Sequence, residues 1–181
     1  MSQQFTVTID KADVERRLGD LKSKAPLVIA RGLNKTAKDA RRKLADKARE
    51  AYTVKTGKFN SSMKIKNATA GNLVAIIRSA GSPLSLTSFS YRASRGTTAS
   101  AQVVKGSGFK ALEKSGIKAW KGMNGLLWQR QTAARLPVKV LKSNSIPVMI
   151  GSEKHVYGIV EPHIQSDLER NISAEIAKLI G

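Results

Sequence analysis

Apolar and polar positions change their period several times along the chain, and each change marks an element. From Gln4 to Ile9 the residues Phe5, Val7 and Ile9 alternate with polar neighbours, which predicts a half-buried strand over 4–9. Asp10 follows at a helix N-cap position, with Asp13 in the first turn, and Val14, Leu18 and Leu21 recur at helical spacing. Gly19 weakens that helix and Pro26 marks a break or a new first turn. Over 27–52, Leu33, Ala37, Ala40, Leu44, Ala48 and Ala51 form a sustained apolar seam, so the whole stretch 11–52 reads as helical. The small alanines of the seam would admit another helix or a sheet at close range. Arg31, Lys35, Lys38, Arg42 and Arg49 each precede a seam position by two residues, a rotation of about 200°. This basic stripe is therefore expected to face outward. It is either a solvated helix face or a surface turned to an anion or a partner.

After a KTG turn at Gly57, the pattern over 63–141 becomes short and β-like. Met63 and Ile65 alternate with lysines, and Leu73–Arg78 is apolar and β-branched; the two are expected to pair as a hairpin. Further short strands are predicted at 101–105, 109–112, 126–130 and 138–141. Between them, residues 80–100 are rich in Ser, Thr and Gly and predict an irregular loop, an uncommon length for a connection without structure of its own. From 146 to 180 the period returns to helical: Val156, Val160, Ile164, Leu168, Ile172, Ile176 and Ile180 form an i+4 row. Pro162 is expected to kink or restart that helix, and Ser166–Glu169 has capping-box spacing for a second start. The sum is one α+β domain over 1–181. Its long N-terminal and C-terminal helices are expected to pack on a small, mostly antiparallel sheet.

Composition changes this picture chiefly through charge. Lys and Arg number 32 against 13 Asp and Glu, a net charge of +19. Such an excess repels itself unless anions or acidic surfaces offset it; nucleic acid is the commonest such partner and an acidic neighbouring subunit the next. The excess is uneven. Residues 31–66 carry twelve cations and three acids, and residues 67–152 carry twelve cations and the single acid Glu113. Residues 153–181 carry three cations and five acids.

That distribution leaves little for catalysis, which needs carboxylates or histidines that converge. The two histidines, His155 and His163, lie eight positions apart, unlike a helical metal pair, and read as surface or boundary residues. Cysteine is absent, no G-x-S-x-G elbow occurs, and Gly106-Ser107-Gly108 reads as a flexible connector rather than a phosphate loop. No enzyme activity, metal or cofactor is expected. No run approaches a membrane span, and the first ten residues lack the basic and apolar regions of a signal peptide, so a cytoplasmic origin is expected. In the loop, Tyr91, Arg92 and Arg95 could touch phosphate and stack on a base; the plainer reading is a mobile loop that orders against a neighbouring subunit. Trp120 and Trp128 read as core or interface anchors.

The order of these features resembles a known family. A basic, Ala-rich helix (GLNKTAKDARRKLADKAREA) leads into the KTG turn, and a Ser/Gly/Lys-rich β region follows with GFKALEKSGIKAWK. Then come LLWQRQTAARLPVKVLKSNSIPVMIG and the closing helix EPHIQSDLERNISAEIAKLIG. Over roughly 25–181 this is similar to the minor tail protein Z family of tailed phages and prophages, the tail completion proteins. The family's phenylalanine and glycine ahead of the Arg-bearing strand correspond to Phe109 and Gly116.

The resemblance implies a non-enzymatic virion protein, assembled in the host cytoplasm, that completes the head-proximal end of the tail and helps join it to the head. It implies a homo-oligomeric, hexameric ring. Its partners would be tail terminator, tail tube or head-completion proteins and the end of the phage genome DNA, with no membrane. On that reading Arg31, Lys35, Lys38, Arg42, Arg49, Arg92 and Arg95 face DNA or the channel lumen, and Trp120, Trp128, Ile164 and Leu168 make subunit contacts. The alternative is a general nucleic-acid-binding protein of ribosomal or nucleoid type.

Overall fold

The computed structural model describes residues 2–7, 10–54, 58–94 and 97–180. The chain opens with strand β1 (Ser2–Val7), helix α1 (Lys11–Leu18), a 3-10 segment (Gly19–Lys24) and the long helix α2 (Ala25–Ala51). A short helix α3 (Phe59–Ser62) leads into strands β2 (Met63–Lys66) and β3 (Ala75–Ala80). Eight small strands follow: β4 (Ser90–Arg92), β5 (Ser100–Gln102), β6 (Lys110–Ala111), β7 (Glu113–Lys114), β8 (Ile117–Lys118), β9 (Trp120–Lys121), β10 (Leu127–Arg130) and β11 (Val138–Val140). Helices α4 (Ile146–Ile150) and α5 (Tyr157–Ile180) close the chain.

Local chemistry explains the helical boundaries. Asp10 caps α1 by accepting from the Ala12 N–H at 2.8 Å, and Asp13 sits in the first turn where the helix dipole favours an acid. Gly19 ends α1 at φ +53, a conformation that costs glycine little. Pro26 lies in the first turn of α2, where its missing N–H removes no bond. Leu33, Ala40, Leu44 and Ala48 of the predicted seam are buried, and the five stripe cations are all exposed, as their rotation required.

The core joins three surfaces. Helix α5 lies along α2, and the antiparallel sheet β1–β3–β2 covers the other side. Phe5, Ile77, Leu33, Ala37, Ala40, Leu44 and Ile164 converge on one apolar space. The expected hairpin of Met63–Lys66 with the 73–78 segment is present, with Ile65 opposite Ile77, and β1 pairs on the far side of β3 with Phe5 opposite Ile77. The close approach of α5 to α2 depends on Gly32, which lies under Ile172. A polar cluster sits in the same seam. The Asp167 carboxylate, 3% exposed, takes Lys43 and Arg170, and the Asn171 amide donates to Thr36 Oγ1 at 3.0 Å.

Four expectations need correction. The protein is α+β, but the long helix is not N-terminal, since β1, α1 and a 3-10 segment precede it, and there are four small antiparallel sheets rather than one. Ile164 and Leu168 are 5% and 0% exposed against the chain's own core, so their side chains are covered within the chain rather than offered to a neighbouring subunit. The expected irregular loop over 80–100 is ordered in part among its described residues, where Leu86 and Phe89 are buried and Ser90–Arg92 forms a strand. Pro162 lies inside α5, which runs unbroken through it, and Ser166 donates to the His163 carbonyl instead of capping a new start.

Candidate functional site

Residues 86–142 build a β-rich lobe anchored on the C-terminal end of α2. Thr53 N–H donates to the Val103 carbonyl at 3.0 Å, Lys105 N–H to the Ala51 carbonyl at 2.8 Å, and Thr53 Oγ1 to the Gln102 carbonyl. Within the lobe the sheets are β4–β5–β6, β7–β8 and β9–β10–β11. Ala99 and Ala119 stitch them: Ala99 N–H reaches the Ala119 carbonyl at 3.1 Å and Ala119 N–H the Leu112 carbonyl at 2.9 Å. The β7–β8 turn has positive φ at both Ser115 and Gly116, the geometry that a two-residue hairpin loop requires.

Alternation on β10 sorts its side chains. Leu127 and Gln129 point inward and are buried, and the Gln129 amide donates to the Ile117 carbonyl at 2.8 Å. Trp128 and Arg130 lie on the outer side, with Trp128 opposite Trp120 of β9 and the Trp128 indole N–H on Asn124 Oδ1 at 3.0 Å. Trp120 is 38% exposed. It forms the wall between two open depressions. One, of about 520 Å³, is lined by Ser115, Gly116, Lys118, Trp120, Arg130 and Thr132. The other, of about 440 Å³, is lined by Trp120, Met123, Asn124, Trp128 and Val138. A smaller hollow at Lys114, Gln129, Arg130 and Lys139 continues the first.

Electrostatics divide the molecule sharply. The described part of the lobe holds ten exposed cations (Arg92, Lys105, Lys110, Lys114, Lys118, Lys121, Arg130, Arg135, Lys139 and Lys142) and one acid, Glu113. Every ion pair among the described residues lies on the helices; the lobe has none. Two of its cations meet aromatic rings instead: Arg92 lies 4.0 Å over the Phe109 ring and Lys121 5.6 Å from that of Tyr91.

The α2 stripe is more moderated. Arg49 pairs with Asp46. The Lys178 ammonium, hydrogen-bonded to Glu175 at 2.7 Å, holds that carboxyl below its usual range against the opposing effect of burial, and the charges of Lys178, Arg31 and Lys35 add to the lowering. Lys38 and Arg42 form no ion pair among the described residues.

The expected site residues therefore fall in three places. Arg31, Lys35, Lys38, Arg42 and Arg49 share the outer face of α2. Arg92, Trp120 and Trp128 belong to the lobe, whereas Arg95 lies outside the described residues. Ile164 and Leu168 are in the core. Lys118 and Arg130, the cations that share a depression with Trp120, were missed as site residues. Alternation in Leu127–Arg130 is the signal that places Arg130 outward once Leu127 is assigned inward.

Among the described residues no three His, Asp or Glu side chains come together as metal ligands. His155 is half-buried, its ring 6.1 Å from that of Tyr52, and His163 is exposed. No described helix is long and apolar enough to cross a membrane. The family comparison supplies the class, a structural protein of a phage tail. The chain belongs to the prophage minor tail protein Z family, whose model matches residues 11–180. Comparison with curated proteins and with solved structures gives no match.

Proposed function

We propose that this tail protein completes the head-proximal end of the tail and joins it to the head, as one subunit of a homo-oligomeric ring. The observation that carries this reading, beyond the family, is the lobe's exposed and unpaired positive charge. Ten cations against one acid are self-repelling in an isolated subunit. A ring that surrounds the end of a packaged genome gives that charge a partner, because DNA phosphates and their released counterions favour dense cation surfaces. The more moderated α2 stripe suits contact with acidic surfaces of tail terminator, tail tube or head-completion proteins. No catalytic step enters this function.

Deletion of the gene tests the proposal. Negative-stain images are expected to show filled heads and separate tails, and the intact protein supplied in trans restores joined particles. Infectious, fully joined virions without the protein would overturn it. A soluble monomer that binds any nucleic acid tightly, with no association with tail proteins, would favour a general nucleic-acid-binding role instead.

A further inference from the structure

We infer that the cleft beside Trp120 is a binding site for single-stranded nucleic acid, with a base stacked on the indole and its phosphates held by Lys118 and Arg130. This rests on reading the basic lobe as DNA-facing and adds which form of nucleic acid it takes and where. Three observations converge. The Trp120 ring is 38% exposed on β9, the edge strand of its sheet, and stands between two depressions. The depression on one side combines apolar surface from Trp120, Ile117 and Ala133 with the cations Lys118 and Arg130; Lys114 and Lys139 continue it around Arg130. The depression on the other side is apolar, floored by Trp128, Met123 and Val138.

Alternating aromatic surface and unpaired cations is what a single strand needs. Each base offers a flat face to stack and each linker a phosphate to neutralise, and stacking contributes about 1–3 kcal/mol per base. A volume of about 520 Å³ lies within the usual range for a small-ligand site and holds one nucleotide comfortably. A blunt duplex fits less well, because its bases are already stacked on one another and present no face to Trp120. An acidic peptide would satisfy the cations but leave the exposed indole without a stacking partner.

The test uses the full-length protein, a short oligothymidylate and a blunt duplex of equal length, titrated with tryptophan fluorescence and fluorescence anisotropy. The oligothymidylate is expected to quench Trp120 and to bind at least about tenfold tighter than the duplex, the discrimination that one to two stacked bases provide. Trp120→Ala should lose most of that preference and Trp120→Phe keep most of it. Lys118→Gln with Arg130→Gln should weaken binding by about tenfold and reduce the salt slope by one to two phosphates' worth, about 0.7 for each. Reversing the stripe residues Lys35, Lys38 and Arg42 to Glu should leave oligothymidylate binding within about threefold, as they lie outside the cleft.

Equal affinity for duplex and single strand would overturn the inference while leaving a DNA-lined ring intact. So would an effect of the stripe as large as that of the cleft. Absence of any DNA binding, together with capture of an acidic peptide that quenches Trp120, would overturn both the inference and the DNA-facing reading. Unjoined heads and tails after gene deletion would still stand on their own. Because Lys118 and Arg130 are exposed, their glutamine variants fold even if Trp120→Ala does not.

Discussion

Gly32 shows what one residue decides. A Cβ at this position would lie 2.4 Å from Ile172 Cγ1 and 3.4 Å from Ile172 Cα, so α5 would have to move away from α2. Alanine is the better helix former by about 1 kcal/mol, yet overpacking costs about 1–3 kcal/mol, and the clash should win. Gly32→Ala is expected to lower the thermal midpoint by several degrees in calorimetry; an unchanged or higher midpoint would contradict the close packing. Asp167 acts through polarity instead. Its carboxylate is buried, whereas Lys43 and Arg170 still reach solvent, so Asp167→Ala removes two ion pairs without stranding either cation. A loss of about 1–2 kcal/mol is expected from chemical denaturation.

Glu175 sets an acid limit. Its carboxyl titrates below the ordinary value, chiefly through the Lys178 hydrogen bond, so its contribution is present above that ordinary value and is lost as pH falls through the lowered one. Denaturation curves at neutral and acidic pH should show a smaller acid-side loss for Glu175→Gln than for the parent. None of these three roles is legible in the sequence. Glycine in a helix reads only as a weak point, and the partners of Asp167 lie 124 residues away or one turn along the same helix.

At the scale of elements, legibility followed periodicity. The α2 seam and the i+4 row of α5 were sustained over many turns, and both bury as their spacing demands, apart from Ala51, half-buried at the end of α2, and Ile180, which is 61% exposed. The hairpin of β2 and β3 was equally clear, because alternation and a turn coincided. Pro162 misled because a proline loses one hydrogen bond and meets the preceding turn's carbonyl. At the sixth residue of α5 that cost falls near the helix start, and the buried row on both sides holds the helix together. The stretch 80–100 misled for the opposite reason: the buried residues Leu86, Phe89 and Ala99 order part of a segment whose composition is that of a loop. Leu44→Ala should cost about 2–5 kcal/mol, since Leu44 is fully buried where α2, α5 and the sheet meet. A loss below 1 kcal/mol in denaturant titration would mean the three surfaces are less tightly joined than described.

The whole molecule has two electrostatic halves. The helical half carries every ion pair among the described residues, and the β lobe carries cations with no carboxylate partner. The sequence showed the imbalance as an acid-poor stretch over 67–152. What it could not show was that the lobe's cations lie beside an exposed tryptophan, since Arg130 comes to Trp120 and Lys118 through the β9–β10 pairing and the approach of β8 to β10. The two basic surfaces should therefore separate by function. Reversal of Lys35, Lys38 and Arg42 to Glu should abolish assembly while circular dichroism shows a folded monomer; unchanged virion yield would make the stripe a solvated face.

The central claim is a position in the virion. Cryo-electron microscopy of purified particles, with the protein carrying a density tag at a surface loop, tests it most directly. A ring of tag density at the junction of tail and head is the predicted result. Tag density at the distal tip or along the tail tube, or none in mature particles, would contradict it.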